Sequence, residues 1–228
     1  MSVTMNTVSV NQNTNFKGSY SKTEQGNQYY KTSAGTTAGA VLAVPAFALN
    51  YTSGNSLSYM TGFMNKVLDK EEKEASKEFM KPMEEIAARA KKFAIPMAVV
   101  AAACTLGCGM IVDHIRNKRA QEVADLTKQV GVKGAMMQGE GVAISQKGRT
   151  YYDSNVGSKY GALLGAGCGL IKTGMEIARD HKLVSKLPGG MANYLTGGIL
   201  TMAEFALGGW LMGKIADHNT NKAAERKA

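Results

Sequence analysis

The sequence predicts an all-α protein: a tandem duplication of a two-helix hairpin, giving a four-helix membrane bundle with glycine-zipper packing, plus an amphipathic connector helix. Three observations predict this fold. The chain repeats itself, it contains helix-length stretches with almost no charge, and many of its 26 glycines recur at intervals of four. A chain of 228 residues can form one large domain or two small ones, and the repeat favours one domain built from two halves.

The repeat consists of short motifs that recur in the same order in both halves of the chain. The spacing between matching motifs shrinks along the chain, as expected if loops were shortened after a duplication. The match is best at the ends of the two halves. Tyr29-Tyr30 recurs as Tyr151-Tyr152, Thr61-Gly62 as Thr173-Gly174, Asp113-His114 as Asp217-His218, Asn117-Lys118 as Asn221-Lys222, and Ala120 as Ala224.

These matches divide the chain into four parts. Residues 1–28 are rich in Asn, Ser, Thr and Gln and have no apolar core, so we expect a disordered polar tail and not a signal peptide. The first hairpin repeat is expected at 29–127, a linker at 128–150 and the second hairpin repeat at 151–228. Within the first repeat, residues 66–92 form a charged connector.

The connector and the segment before it have their own local signals. Apolar residues recur at helical spacing between 79 and 90, which predicts an amphipathic helix, and Pro82 predicts an interruption of that helix. Residues 50–60 contain several Asn, Ser and Gly residues, which is typical of a turn. The polar segment from Arg116 to Thr127 is expected to continue the helix that precedes it.

The strongest membrane signal runs from Phe93 to Val112. These 20 residues carry no charge, and at 1.5 Å per residue they span about 30 Å, the thickness of a hydrocarbon core. The stretch from Tyr194 to Gly213 has the same length but contains Glu204. Two further uncharged stretches are weaker candidates: 32–65 contains a proline, and 160–171 crosses only if flanking lysines reach the headgroups.

Glycines at intervals of four predict how the helices pack. Residues four apart share one helix face, and small residues on that face let two backbones approach closely in lipid. In a soluble helix each such glycine costs about 1 kcal/mol relative to alanine. We expect packing through Gly35, Gly39, Gly109, Gly157, Gly161, Gly165, Gly169, Gly209 and Gly213.

Glu204 is the one candidate for a functional intramembrane residue. A carboxylate at membrane depth must pair, bind a proton or face water, and such residues often mark an ion path. Its counterpart in the first repeat is Val100, so the charge is not part of the shared pattern. An alternative interpretation is that this helix lies at the membrane interface.

The remaining polar patterns do not predict catalysis or a cofactor. Every histidine follows an aspartate, but His181 is expected on the opposite side from His114 and His218, which argues against a shared metal site. The three cysteines lie in apolar stretches, where packing between helices explains them. We therefore predict no catalytic residue, no cofactor and no metal.

The net charge of +9 fits a partner with negative charge. Because the basic residues are scattered and no basic face carries aromatic residues, nucleic acid is disfavoured and a lipid bilayer is favoured. A second copy of the chain is a further expected partner.

These features predict a multi-pass, non-enzymatic membrane protein that acts as a scaffold or assembly component. Two alternatives stay open: a channel-like or pore-forming protein, and a soluble helical interaction module that uses the connector at 66–92. No feature of the sequence indicates which membrane is involved.

Overall fold

The computed structural model describes residues 18–139, 141–187 and 189–228, without the side chains of residues 73 and 75. Residues 1–17 of the expected tail lie outside the described residues. The protein is mostly helical, which confirms the predicted all-α class. Five helices are described: α1 (Ala34–Val67), α2 (Lys70–Ala75), α3 (Lys77–Met137), α4 (Val156–Val184) and α5 (Gly190–Lys227).

Two short antiparallel β-hairpins precede α1 and α4. Each hairpin turns at a glycine with positive φ, 81° at Gly26 and 75° at Gly148, which glycine adopts without steric cost. The repeated Tyr-Tyr motif lies in the second strand of each hairpin. The strands are β1 (Ser19–Lys22) paired with β2 (Gln28–Lys31), and β3 (Val142–Ile144) paired with β4 (Thr150–Tyr152).

The hairpins correct two sequence-based boundaries. Disorder up to residue 28 is wrong for residues 19–28, and much of the linker expected at 128–150 is helix or strand. The first hairpin contains polar, mostly exposed strand residues, so its composition resembles that of a tail. In the expected linker, α3 continues to Met137. The one residue with non-helical dihedrals inside α3 is Gly131.

The turn predicted at residues 50–60 is also wrong, because α1 is continuous from Ala34 to Val67. The small polar residues there bond within the helix: Asn50 Nδ2 donates to the Ala46 carbonyl at 2.8 Å, and Thr52 Oγ1 to the Ala48 carbonyl at 2.9 Å. Such bonds to the preceding turn are compatible with a helix. Gly54 is needed for close packing, since a Cβ atom there would lie 2.8 Å from the Cβ of Ala94.

The charged connector contains a helix boundary, but it does not fall at Pro82. Asp69 and Glu72 form a capping box that starts α2, and Ser76 separates α2 from α3. Pro82 lies inside α3, so the amphipathic segment and the apolar stretch after it form one long helix.

The helices form two antiparallel pairs, α1 with α3 and α4 with α5. The pairs contact each other mainly through α3 and α4. The buried apolar clusters between the pairs are small: one contains Ala38, Cys108 and Met212, and the other contains Ile86, Leu183 and Val184. Most large apolar side chains therefore lie on the outside of the molecule.

Two helices, α3 and α5, are long and apolar enough to cross a membrane by length and composition. In the most apolar 18-residue window of each helix, the share of residues buried within the protein is 33% for α3 and 11% for α5. A core helix of a water-soluble domain would be mostly covered by its own chain.

Candidate functional site: the polar junction and the central groove

The first turn of α1 is capped by a carboxylate from the neighbouring helix. Asp113 of α3 accepts hydrogen bonds from the backbone N–H of Gly35 at 2.8 Å and of Thr36 at 2.6 Å. One turn further along α3, the Asn117 amide pairs with the backbone of Thr32, with N–O distances of 3.0 and 2.9 Å. Because residues four apart share a helix face, one face of α3 holds the start of α1.

The start of α4 is held in the same way by α5. Asp217 accepts from the backbone N–H of Gly157 at 3.0 Å and of Ser158 at 2.8 Å. Asn221 pairs with the backbone of Ser154, with N–O distances of 3.1 and 2.9 Å. The Asp and Asn of the repeated motif thus perform the same task in both halves.

These contacts replace an ordinary helix cap. The N-cap residues Ser33 and Asn155 make no side-chain capping bond. The first N–H groups of a helix have no intrahelical partner, and the helix dipole favours a negative charge beside them. A carboxylate from the next helix meets both needs and fixes how the two helices of each pair meet.

Arg116 joins the two pairs. Its side chain is 3% exposed, and Nη1 lies 3.2 Å from both Asp217 Oδ1 and the Ala216 carbonyl, while Nη2 donates to Asn221 Oδ1 at 2.5 Å. The matching position on α5 is Thr220, whose hydroxyl lies 3.2 Å from that of Thr32. We call this cluster the polar junction: Thr32, Asp113, Arg116, Asn117, Ser154, Asp217, Thr220 and Asn221.

Burial shapes the electrostatics of the polar junction. Loss of hydration lowers the pKa of Arg116, an effect that Asp217 opposes. Loss of hydration also raises the pKa of Asp217, although the Ser158 N–H and Arg116 favour its charged form. The two charges depend on each other, because removal of one would leave the other buried without its opposite charge.

The structure places all nine predicted packing glycines against the partner helix of their own pair. A Cβ atom on Gly35 would lie 2.7 Å from the Gly109 carbonyl oxygen, and one on Gly157 would lie 2.6 Å from that of Gly213. Distances this short leave no room for a methyl group. The remaining opposed positions are Gly39 with Thr105, Gly161 with Gly209, Gly165 with Phe205, and Gly169 with Met202.

Glu204 lines a groove between the two helix pairs. This central groove has a volume of about 600 Å³ and is bounded by α1, α3, α4 and α5. Glu204 is exposed and makes no hydrogen bond or ion pair with any described residue. Lys172, which also lines the groove, lies 3.6 Å from Glu176 and 5.9 Å from the centre of the Phe205 ring.

Two further polar features occur at the central groove. Asn50 Oδ1 is buried without a hydrogen-bond partner among the described residues. The thiols of Cys108 and Cys168, on α3 and α4, lie 3.5 Å apart. Within the described ranges, no group of three or more His, Cys, Asp or Glu side chains is arranged to hold a metal ion.

Comparison with protein-family models, with curated proteins and with solved structures found no match to this chain. The sequence motifs pointed to the packing glycines and to Glu204, but not to Arg116 or Asn50. The repeated Asp and Asn were a usable signal for the polar junction, because a repeat that keeps two polar residues one helical turn apart indicates a shared contact. The polar junction and the central groove are the features from which a function can be argued.

Proposed function

We propose that this protein is a non-enzymatic, multi-pass membrane protein that serves as a scaffold or assembly component. The observation that carries the proposal is the outward-facing apolar surface of the helices, with only 11% of the apolar window of α5 buried. Large apolar side chains are exposed on α1, α3, α4 and α5, among them Val44, Phe47, Leu49, Ile95, Val99, Leu163, Leu170, Ile199 and Leu207.

Lipid explains this surface better than water does. Leaving apolar area in water costs about 25 cal/mol per Å², and soluble monomers rarely expose apolar patches beyond a few hundred Å². Here the exposed residues occur on all four long helices. In a bilayer the same residues are solvated by acyl chains.

The helix pairing supports four crossings. Gly35 lies against Gly109 and Asp113, and Gly54 lies against Ala94. The part of α1 from Gly35 to Gly54 is therefore about 30 Å long and runs beside the uncharged stretch of α3. In the second pair, α4 runs beside α5 in the same manner, with Gly157 against Gly213 and Thr173 against Gly198.

A tandem duplication accounts for the matching contacts. In both halves a β-hairpin leads into a helix rich in small residues, and an Asp and an Asn one turn apart on the next helix hold its start. Both halves have the same orientation, since the starts of α1 and α4 meet at the polar junction. Close glycine packing within each pair is the glycine zipper of this proposal.

A scaffold role is supported by where the polar groups are used. The side chains of the polar junction bond to one another and to backbone, which fixes the arrangement of the helices. Other glycines have open space before them and leave room for a second copy to approach. These outward glycines are Gly107, Gly167 and Gly174.

Alkaline carbonate extraction of membranes that contain the expressed protein tests the proposal. An integral multi-pass protein stays in the membrane pellet. Release into the supernatant would instead favour the soluble interaction module that uses the connector at 66–92. A peripheral protein and a known multi-pass protein in the same membranes provide the two controls.

A channel-like function is the second candidate, because Glu204 is an unpaired carboxylate on a groove between the pairs. Purified protein in liposomes would then carry a cation flux that Glu204→Gln reduces at least tenfold. Glu24→Gln, an exposed change in the first hairpin, is the matched control. Flux that is absent, or equal in wild type and Glu204→Gln, removes this candidate.

A further inference from the structure

The central groove has the dimensions and lining of a ligand site. Its volume of about 600 Å³ falls within the range of small-molecule pockets, about 300–1,000 Å³. Most of its wall is apolar and comes from both helix pairs. Its apolar lining includes Leu42, Pro45 and Leu49 of α1 and Phe205 and Met212 of α5.

Two polar groups of this apolar wall, on Asn50 and Glu204, are hydrogen-bond acceptors without a donor among the described residues. Glu204 has no partner among the described residues, and Asn50 Oδ1 is buried without one. A buried acceptor without a donor is unfavourable, so a ligand that places a complementary positive group there is favoured. Of the described lining residues only Lys172 is basic, and it already lies beside Glu176 and the Phe205 ring.

We infer that the central groove binds a lipophilic organic cation, with the positive charge beside Glu204 and the apolar body between α1 and α5. The charge of the unpaired carboxylate and the negative end of the Asn50 amide dipole complement a cation and disfavour an anion. Glu204 is exposed at the protein surface, and in a bilayer, away from water, a pair of opposite charges attracts several times more strongly than it does in water. This inference rests on the proposed membrane insertion, but it does not require a scaffold or channel role.

Equilibrium dialysis of tetraphenylphosphonium with the full chain in detergent tests the inference. Wild type is expected to bind one tetraphenylphosphonium ion per chain, and Glu204→Gln is expected to bind at least tenfold more weakly. Glu24→Gln keeps the affinity of the wild type, because that residue is exposed and far from the groove. Glu204→Asp keeps the charge and retains part of the affinity.

Tetraphenylborate is the matched probe, since it has the same shape and the opposite charge. Weaker binding of this anion supports the inference. Gly208 lines the groove and has open space before it, so Gly208→Leu should fill the groove. Loss of tetraphenylphosphonium binding in that variant also supports the inference. Equal binding of both probes would mean simple apolar partition and would overturn it. Tighter binding of the anion, abolished by Lys172→Gln, would assign the groove to an anionic lipid instead.

The outcomes separate this inference from the proposed function. Carbonate extraction reports membrane insertion and does not depend on Glu204. A protein that stays in the pellet and binds neither probe contradicts the cation site alone. A protein that is released by carbonate contradicts the membrane proposal, and binding of tetraphenylphosphonium through Glu204 would then show that the groove takes the cation without a bilayer.

Discussion

Asp113 and Asp217 each act on a helix other than their own. Their carboxylates accept the backbone N–H groups at the start of α1 and α4, and the asparagines one turn later hold the residues just before those helices. Side-chain caps usually come from the N-cap residue itself. A cap from the neighbouring helix ties the stability of a helix end to the pairing of two helices.

Replacing Asp113 by Asn is expected to destabilise the first pair. The amide keeps one acceptor but loses the charge and places a donor against a backbone N–H, at a cost of about 1–2 kcal/mol. Denaturation of the protein in mixed micelles measures the free energy of unfolding. The control is His114→Asn at the exposed neighbouring position, expected to change it by less than about 0.5 kcal/mol. Equal losses in both variants would contradict the capping role.

Arg116→Met is expected to lower the free energy of unfolding by more, about 3 kcal/mol, because it leaves the buried Asp217 without its cation. The deficit depends on pH. Burial already raises the pKa of Asp217, and removing Arg116 raises it further. An acid whose pKa is raised in the folded state stabilises the fold only while it is protonated. The free energy of unfolding therefore falls as the pH rises from the pKa of the unfolded state through the pKa of the folded state.

The pH dependence separates an electrostatic role of Arg116 from simple packing. Urea or detergent titrations at acidic and neutral pH are expected to show a larger deficit of Arg116→Met at neutral pH. The double change Arg116→Met with Asp217→Asn should remove that pH dependence. A deficit that is the same at both pH values would show that Arg116 contributes through its shape alone.

Among the helices, α4 shows most clearly how glycine position decides packing. Gly161, Gly165 and Gly169 face α5, whereas Gly167 on the same helix faces open space. A Cβ atom on Gly165 would collide with the Phe205 carbonyl. The two positions therefore have the same intrinsic helix propensity and different surroundings.

Gly165→Ala and Gly167→Ala are expected to have opposite effects. The first overpacks the contact between α4 and α5, which costs about 1–3 kcal/mol. The second meets no neighbour and gains the higher helix propensity of alanine, up to about 1 kcal/mol. Thermal unfolding in detergent compares the two variants. Equal melting temperatures would mean that α4 and α5 do not pack along this face.

The elements that the sequence predicted well are those with a strong local period. The glycines at intervals of four led to the contact faces, and the charge-free stretch from Phe93 to Val112 lies in α3 as expected. The turn predicted at 50–60 failed because Asn, Ser and Gly also fit a helix when side chains bond to the preceding turn and Gly54 meets Ala94. The short hairpins have too few residues to show a clear alternation.

The candidate site was only partly predictable for a similar reason. Glu204 was found because a charge inside an apolar stretch is visible locally. The role of Arg116 was not predicted, because its partners Asp217 and Asn221 lie about a hundred residues away in the sequence, on another helix. The buried oxygen of Asn50 depends on how the two pairs meet, which no local pattern indicates.

In the described part of the molecule, contacts at three different heights join the two helix pairs. Arg116 joins them at the polar junction, the thiols of Cys108 and Cys168 meet beside the central groove, and Arg89 donates to the Arg179 carbonyl at 3.0 Å near the other end. These contacts fix the arrangement of the pairs and hence the shape of the groove.

The close thiols predict a cross-link between the pairs. Iodine takes two electrons from Cys108 and Cys168, forming one S–S bond and releasing two protons and two iodide ions. In a Cys104→Ser background with a protease site inserted at the turn after Lys147, the cleaved halves should then migrate together until reductant is added. Cys168→Ser is the control. Separate fragments after oxidation would contradict the arrangement of the pairs.

The central claim is that acyl chains surround these helices. The chain contains one tryptophan, Trp210, which lies in the apolar part of α5 and is 41% exposed at the protein surface. Fluorescence of the protein in liposomes that contain brominated phospholipids measures its surroundings directly. We predict blue-shifted emission that acyl-chain bromine quenches strongly and aqueous acrylamide quenches weakly. Red-shifted emission that acrylamide quenches and brominated lipid leaves unchanged would contradict the claim.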